Sequence, residues 1–491
     1  MNVSVSSSFV RTAKFLAALA CGATLTQVSS HAAVFAKGAD VGWLSQLEAN
    51  PYTFYNNAGV AQDCLQILKD KGINSIRLRV WVNPTGGWCG KTDVVNMAVR
   101  AKNLGMRLLI DFHYSDSWAD PGQQTKPAAW STHTYAQLQT DVYNHTYDVL
   151  NTLKTNGVTP EWVQVGNEVN GGMLWPEGST SNMSQFAGLI NQGYNAVKAV
   201  SSTTKVIIHC ANAYDNANFR WIFDGLTANG AHFDVIGMSH YPAASSWTTT
   251  NAQAQTNLND MAARYTKDVM ICEVGLDWQQ PDVCAAMVTD LMNKVKAVPS
   301  SHGLGVFYWE PECVPGWQGY TLGAMGSNNR PTPAMDAFLY DVPGGANLVT
   351  NGTFEASGAT QTPTGWTTWA NTGNTDADYT EAGGHLGSYR LSHWKATAYQ
   401  VSTSQVKTGL VNGTYTLRAW VRNSGGQTVV QLYAKNFGGT EKDYQLPVYG
   451  NWVQIQLPGI NVTNGQCEIG LWSNANAGNW ANIDDVEFVK N

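Results

Sequence analysis

From Phe35 to about Tyr340 the chain alternates short apolar runs of β type with longer stretches of helical periodicity. The strand-like runs are Phe35–Ala39, Ser75–Val80, Arg107–His113, Trp162–Asn167, Lys205–Cys210, Phe233–Ser239, Asp268–Val274 and Gly303–Trp309. Amphipathic segments lie between them. Ala58–Lys71 carries Leu65 and Leu68, Asp93–Leu104 carries Val94, Met97, Ala98 and Ala101, and Ser184–Val200 carries Leu189, Ile190, Val197 and Val200. Eight strand–helix units of this kind predict an α/β fold, a (β/α)8 TIM barrel over residues 34–340. A doubly wound sheet is the alternative, but no GxGxxG run opens a helix after any of these strands, and no Walker-type phosphate loop occurs.

The pattern changes at both ends of this region. Residues 341–346 (DVPGGA) read as a short linker, and residues 347–491 are rich in Gly, Thr, Asn and aromatics. Alternation over Thr414–Val421, Thr428–Tyr433 and Val453–Leu457, with turn residues between, predicts an all-β sandwich. At the start, Arg11 and Lys14 precede the apolar run Phe15–Ala23, and small residues follow at Ser30, Ala32 and Ala33. That is the layout of a signal peptide over residues 1–33, cleaved after Ala32 or Ala33. Cys21 raises a lipoprotein signal, which Ala18-Leu19-Ala20 fits poorly. No later stretch reaches the roughly 18 apolar residues that would span a bilayer. The expectation is a secreted or periplasmic protein, not inserted in a membrane.

Composition narrows the partners. With 43% hydrophobic and only 13% charged residues, the chain has the makings of a packed core and not of a disordered polymer. The net charge of −7 disfavours nucleic acid, which needs a basic face. The 19 Trp and 20 Tyr suit neutral ring-shaped ligands such as sugars, whose C–H faces stack on aromatics, although most single aromatics serve the core. Of the eight cysteines, Cys284 and Cys313 follow successive strands and are the first candidates for a disulfide, with Cys64–Cys89 next; Cys467 is expected as a buried free thiol. A monomer is expected.

Barrel chemistry sits at the C-terminal ends of the strands. Those ends read Arg77-Leu78-Arg79-Val80-Trp81, Asp111-Phe112-His113-Tyr114, Gly166-Asn167-Glu168, His209-Cys210-Ala211-Asn212, Ser239-His240-Tyr241-Pro242, Cys272-Glu273-Val274-Gly275 and Tyr308-Trp309-Glu310. Glu168 after the fourth strand and Glu273 in the seventh stand out. Glycoside hydrolysis needs one carboxylic acid to protonate the leaving oxygen and one carboxylate facing the anomeric carbon. A lone strand-end Glu is as often an ion-pair partner, but the pair, with Asn167 beside Glu168, favours catalysis.

The same residues carry a resemblance. Gly38-Ala39-Asp40, Arg77-Leu78-Arg79-Val80-Trp81, the run from Asp111 to Gly122 (DFHYSDSWADPG), Gln164-Val165-Gly166-Asn167-Glu168 and Asn170-Gly171-Gly172-Met173-Leu174-Trp175-Pro176 resemble the endo-β-1,4-galactanases of glycoside hydrolase family 53 over nearly all of 35–340. The resemblance implies retaining hydrolysis of β-1,4-galactan, the pectin side chain. By position it implies Glu168 as acid/base, Glu273 as nucleophile and Asn167 as a contact to the sugar 2-hydroxyl. No cofactor is required for that chemistry. Arg79 and Tyr241 are expected to hydrogen-bond Glu273 and keep it ionised. Asp111 and His113 are expected to orient substrate or the acid/base, or His113 to be a packed core residue. Trp81, Trp118, Trp175, Trp278 and Trp309 are candidate stacking platforms, two or three of them core. Some family members bind calcium through an acidic loop after strand 7; here Asp277-Trp278-Gln279-Gln280-Pro281-Asp282 is too poor in spaced oxygens, so no barrel metal is expected.

The second module opens with Asn347-Leu348-Val349-Thr350-Asn351-Gly352-Thr353-Phe354-Glu355 and closes with Ile483-Asp484-Asp485-Val486-Glu487-Phe488. Both ends resemble jelly-roll carbohydrate-binding modules, and the run Gly383–Trp394 resembles the galactan-binding family 61. Related jelly-rolls hold a structural calcium, for which Glu355 and Asp485 are the candidates here, an ordinary surface pairing being the other reading. Arg390, His393, Trp394, Trp472 and Asn479 are the candidate sugar contacts. Two alternatives stay open: a catalytically silent carbohydrate-binding protein, and a related hydrolase acting on mannan or cellulose.

Overall fold

A computed structural model describes residues 1–2, 34–339, 347–356, 358–385 and 387–490. The expected signal peptide and linker lie outside the described residues. Eight parallel strands close into a barrel: β1 (Ala36–Asp40), β2 (Ser75–Val80), β3 (Arg107–Phe112), β4 (Trp162–Val165), β5 (Lys205–Cys210), β6 (Val235–His240), β7 (Asp268–Val274) and β8 (Gly303–Trp309). Each pairs with its sequence neighbours and β8 closes on β1. The helices α1 (Leu44–Ala49), α2 (Cys64–Asp70), α3 (Lys91–Asn103), α4 (Tyr135–Thr155), α5 (Met183–Val200), α6 (Asn216–Ala228), α7 (Trp247–Tyr265) and α8 (Pro281–Lys296) lie between strands. The first amphipathic run, expected from Ala58, becomes helical only at Cys64, because the Asp63 carboxylate accepts the Gln66 N–H and caps α2 there.

The barrel interior is layered, as inward side chains from alternate positions require. Ala36, Leu109, Trp162, Ile207, Val235, Met270, Cys272 and Phe307 form a dry apolar layer. The next inward positions along several of the same strands are charged or polar: Asp40, Arg77, Asp111, Gln164 and His209, each no more than 1% exposed. One strand breaks the alternation. Along β7, Met238 pairs with Ile271 but Ser239 pairs with Glu273, so Cys272 is an extra residue. This bulge turns Glu273 to the barrel interior, where strict alternation after Met270 and Cys272 would have aimed it at the helices.

Residues 347–490 form two antiparallel five-stranded sheets. The strands are β9 (Thr367–Ala370), β10 (Asp378–Ala382), β11 (Tyr389–Trp394), β12 (Tyr399–Thr408), β13 (Gly413–Asn423), β14 (Gln427–Lys435), β15 (Lys442–Gln445), β16 (Val453–Val462), β17 (Gln466–Ala475) and β18 (Trp480–Lys490). One sheet has the order β9-β12-β17-β14-β15 and the other β10-β11-β18-β13-β16. Leu417, Ala419 and Val421 of β13 point into the sandwich core. The intervening Trp420 points the other way and is buried in the barrel's own core cluster, with Trp452 packed beside it. These two indoles meet Ala285 and Thr289 of α8 and the turn Pro333–Ala337.

The expected disulfides are not formed: all seven cysteines from Cys64 to Cys467 are buried and unpaired. Cys284 on α8 faces the Tyr308 hydroxyl at 3.4 Å, and Cys89 donates to the Gly42 carbonyl at 3.2 Å. Each fills a core position as a small apolar group, and Cys467 is free as expected. No helix among the described residues is long and apolar enough to cross a membrane.

Gly38 in β1 shows how tight the lower layer is. A Cβ there would fall 2.1 Å from Cδ1 of the buried Phe307 ring. Gly38→Ala is expected to cost about 1–3 kcal/mol through overpacking, read as a lower urea midpoint with an unchanged slope.

Candidate active site

The site is built around the Arg77 guanidinium, 1% exposed inside the barrel. Its Nε donates to Gln164 Oε1 at 2.7 Å and one terminal nitrogen to Asp40 at 2.6 Å. The other terminal nitrogen lies 2.9 Å from each of Asp111 Oδ2, Asn167 Oδ1 and Glu273 Oε1. One side chain therefore ties together β1, β2, β3, β4 and β7. Asn167 is held a second time, donating through Nδ2 to the Ala119 carbonyl at 2.8 Å. Glu168 follows in a left-handed conformation, φ 44° and ψ 54°, which turns its carboxyl off the strand line.

Glu273 Oε2 accepts the Tyr241 hydroxyl at 2.9 Å, as expected. Arg79 does not reach Glu273 and corrects that expectation. It pairs with Glu310, and its nearest Asp40 oxygen is 3.8 Å away. Burial pushes Glu273 up to about 8; Arg77 opposes the shift and the charge of Glu168 adds to it. Burial raises Glu168 as well, with a hydrogen bond from Ser239 opposing. Both shifts favour the protonated form of the carboxyl concerned. Glu273 alone has a guanidinium and a phenol in contact, and both favour its charged form against that burial.

Two neutral histidines hold this arrangement. His209 Nδ1 lies 2.9 Å from Asn167 Oδ1 and from Gln164 Nε2, and its Nε2 lies 2.8 Å from Ser239 Oγ. Burial drives His209 well below its usual range, so it is neutral. His113 accepts the Ala119 N–H at Nδ1 and pairs with Asp111 through Nε2 at 3.0 Å. Burial keeps His113 low despite Asp111, whereas Arg77 and His113 overcome burial to hold Asp111 low.

These groups floor a cleft of about 460 Å³. Glu168, Glu273, Asn167, Tyr241, His113, Trp118 and Trp309 line it. Asp111 and Arg79 are buried behind the wall and do not line it. Neither do Trp81, Trp175 and Trp278: Trp81 packs edge-on against Trp118, Trp175 donates to the Gly171 carbonyl at 2.8 Å, and Trp278 is tied by its backbone to Thr321. Sequence reasoning missed Asp120, Asn212, Tyr320 and Leu322, which come from loops. It also gave Arg77 no role, although a charge on the inward register of a buried strand must find carboxylates there.

Glu310, Glu312 and Cys313 bring ligand-type atoms within 4.8 Å of one another. Glu310 is already paired with Arg79 and accepts the Trp43 N–H at 3.0 Å. Burial and the adjacent Glu310 push Glu312 well up, which favours its neutral form.

The second module does not gather its five candidates. His393 is fully buried between Ser473 and Thr403, at 2.8 and 2.9 Å, and is a core residue. Arg390 is turned onto Glu381 and the Gly383 carbonyl, and the half-exposed Trp394 stands opposite Trp480 within the β10-β11-β18-β13-β16 sheet. Asn479 lies beside Gly426, also away from Trp472. Trp472 alone lines a groove of about 450 Å³ on the β9-β12-β17-β14-β15 sheet. Its tilted neighbour Trp369, 5.5 Å away and 55% exposed, was missed, as were Gln431, Tyr433, Lys435, Glu441 and Glu468. The period-2 register of β14 places Gln431, Tyr433 and Lys435 on one face, a signal that was there to read.

Residues 36–338 match the sequence profile of Glycosyl hydrolase family 53, and residues 346–458 that of a Carbohydrate binding domain. The arabinogalactan endo-beta-1,4-galactanase A of Aspergillus niger is 35% identical over 58% of this chain and 87% of its own length. The probable enzyme of that name from Aspergillus fumigatus is 34% identical over 61% and 89%. A solved fungal beta-1,4-galactanase superposes with a TM-score of 0.58 at 29% identity, covering 62% of this chain and 98% of that one.

Buried His393 makes the second module acid-sensitive. Burial takes its ring down to about 3, so the stability of its neutral form is whole above the unfolded value of about 6.5 and is lost as pH falls below it. Unfolding free energy is expected to drop by up to about 1.4 kcal/mol per pH unit from this ring between pH 6 and 4, and His393→Gln to remove that slope.

Proposed function

This chain belongs to glycosyl hydrolase family 53, and from that premise we propose that it is an exported endo-β-1,4-galactanase acting on galactan and arabinogalactan side chains of pectin by a retaining double displacement. The observation that carries the reading is one cleft lined by Glu168 and Glu273, with Arg77 and Tyr241 bonded to Glu273 alone. That asymmetry suits Glu273, the charged partner, to attack the anomeric carbon. It suits Glu168, which carries the proton, to protonate the departing glycosidic oxygen and then activate water. Asn167, fixed by Arg77 and Ala119, presents its amide beside Glu168, in position for the 2-hydroxyl of the reacting sugar. Trp118 and Trp309 supply apolar faces for neighbouring rings.

The second module, in this reading, holds galactan on the Trp369–Trp472 groove, where Tyr433, Lys435 and Glu468 supply hydrogen bonds. It raises the enzyme's local concentration at the polymer without a new contact in the cleft. A structural calcium belongs to the opposite sheet. Glu355 and Asp484 would hold it, because burial and the charges of Asp485 and Glu355 push Asp484 up to about 8, a conflict that a cation relieves. Asp485 gives its carboxylate to His385 at 2.8 Å. The ion would brace the sheet and take no part in hydrolysis.

A panel of galactan, arabinogalactan, mannan and xylan tests the substrate; release of reducing ends from galactan is expected to exceed the others. Glu168→Gln is expected to lose about 100-fold or more on galactan but far less bond cleavage on aryl β-galactosides with good leaving groups, which need little protonation. Equal losses would remove Glu168 from the acid role. Proton NMR of the first product is expected to show the β anomer; an α product would mean that Glu273 activates water instead of attacking.

A further inference from the structure

Arg79 is 1% exposed, sits behind the cleft wall and has a single ion-pair partner in close contact, Glu310. Its Nε and one terminal nitrogen have no hydrogen-bond acceptor. Aromatic faces surround them instead. The guanidinium carbon lies 4.5 Å from the centre of Trp118, 5.2 Å from Trp43 and 5.3 Å from Trp81. The rings also brace one another: Trp43 contacts Trp118 at 5.5 Å and Trp309 at 5.4 Å, and Trp118 meets Trp309 at 5.9 Å. Of this group, Trp118 and Trp309 reach the cleft.

A buried cation without acceptors is costly unless the negative faces of aromatic rings replace them. The fold makes room for it deliberately. A Cβ on Gly42, in the turn after β1, would fall 2.2 Å from the Arg79 terminal nitrogen, so that turn is shaped to the guanidinium. Glu310 accepts both Arg79 and the Trp43 backbone N–H, and thereby locks the cation and one of its rings to the same carboxylate.

We propose that Arg79, anchored by Glu310, is a positioning residue that fixes the Trp118–Trp309 platform through cation–π contact and thereby sets how tightly a sugar ring is held there, without acting on the two cleft carboxylates. The proposal rests on the reading of the cleft as a glycan site. It separates two arginines that stand two residues apart on the same strand face: Arg77 serves the carboxylates, and Arg79 serves the aromatic wall.

The test uses the full chain. Arg79→Met leaves Glu310 buried and uncompensated, so the double variant Arg79→Met/Glu310→Gln, which removes both charges, is compared with Arg79→Lys and with Gly42→Ala, which crowds the guanidinium without changing a charge. The double variant is expected to raise KM for galactan about tenfold with kcat within about twofold and both limbs of the pH profile unmoved. Arg79→Lys, which keeps the charge, is expected to recover part of the loss, and Gly42→Ala to shift KM in the same direction. Trp118→Ala is expected to raise KM similarly, and adding the double variant to it to change little more, because Arg79 acts through that ring. A fall in kcat with KM unchanged, a moved pH limb, or losses that multiply would overturn the proposal. Should the wild-type chain fail to cleave galactan, the substrate reading falls by itself. Near-ultraviolet circular dichroism then decides the platform: the double variant is expected to lose aromatic ellipticity with its far-ultraviolet spectrum intact, and an unchanged aromatic spectrum overturns the proposal.

Discussion

Everything at the mouth of this barrel depends on the burial of one positive charge. The Arg77 guanidinium has left water, and its desolvation is offset only because Asp40, Asp111, Gln164, Asn167 and Glu273 converge on it from four other strands. The convergence explains features that look separate. Three carboxylates around one cation leave an excess of negative charge, and burial pushes Asp40 up to about 7 and Glu273 higher still. The cluster thus retains protons that a solvated set would lose. The cation itself touches Glu273 and not Glu168, whose opposing hydrogen bond comes from Ser239.

The layered barrel was legible because its signals are periodic. Four of the eight strand ranges, among them Ser75–Val80 and Gly303–Trp309, match the expected ones to the residue, and the others differ only at their ends. Glu168 and Glu273 were found from their places at strand ends and from resemblance. What alternation could not foresee was how Glu273 comes to face inward: the extra residue at Cys272 leaves no mark in the hydrophobic pattern, since Cys272 and Val274 are as apolar as a regular strand demands. Partner choice was equally hidden. Arg77 and Arg79 share one strand face, and only the stagger between neighbouring strands decides which reaches the carboxylates of the cleft and which reaches Glu310.

In the sandwich, the sheets were legible and the binding surface was not. Alternation in β13 marks Leu417, Ala419 and Val421 as inward, but it says nothing about what covers the outward side. Trp420 is covered by the barrel, Trp472 only in part, by Trp369, and His393 by its own core. The same ambiguity produced the expected disulfides. Cysteines near successive strands are near in space, yet Cys284 turns its sulfur toward Tyr308, a geometry that chain order does not encode.

The two modules illustrate why aromatic side chains are hard to assign from sequence. An indole can stack on a sugar, shield a cation or seal a domain contact, and its own chemistry is identical in all three. Here their surroundings differ. Trp43 and Trp81 flank a guanidinium two of whose three nitrogens have no hydrogen-bond acceptor. Trp420 and Trp452 meet Ala285, Pro333 and Ala337, while the His385 ring stacks on Trp420 at 3.8 Å and the Arg422 guanidinium carbon lies 4.8 Å from the Trp452 ring, so they seal a contact and face a cation at once. Trp369 and Trp472 stand over Tyr433, Lys435 and Glu468, groups that hydrogen-bond but leave the indole faces open to solvent. A platform with open faces and polar groups beneath it is the arrangement that a sugar requires, and the rigid wall of the cleft reaches the same end by a different route, with the polar support buried behind the rings.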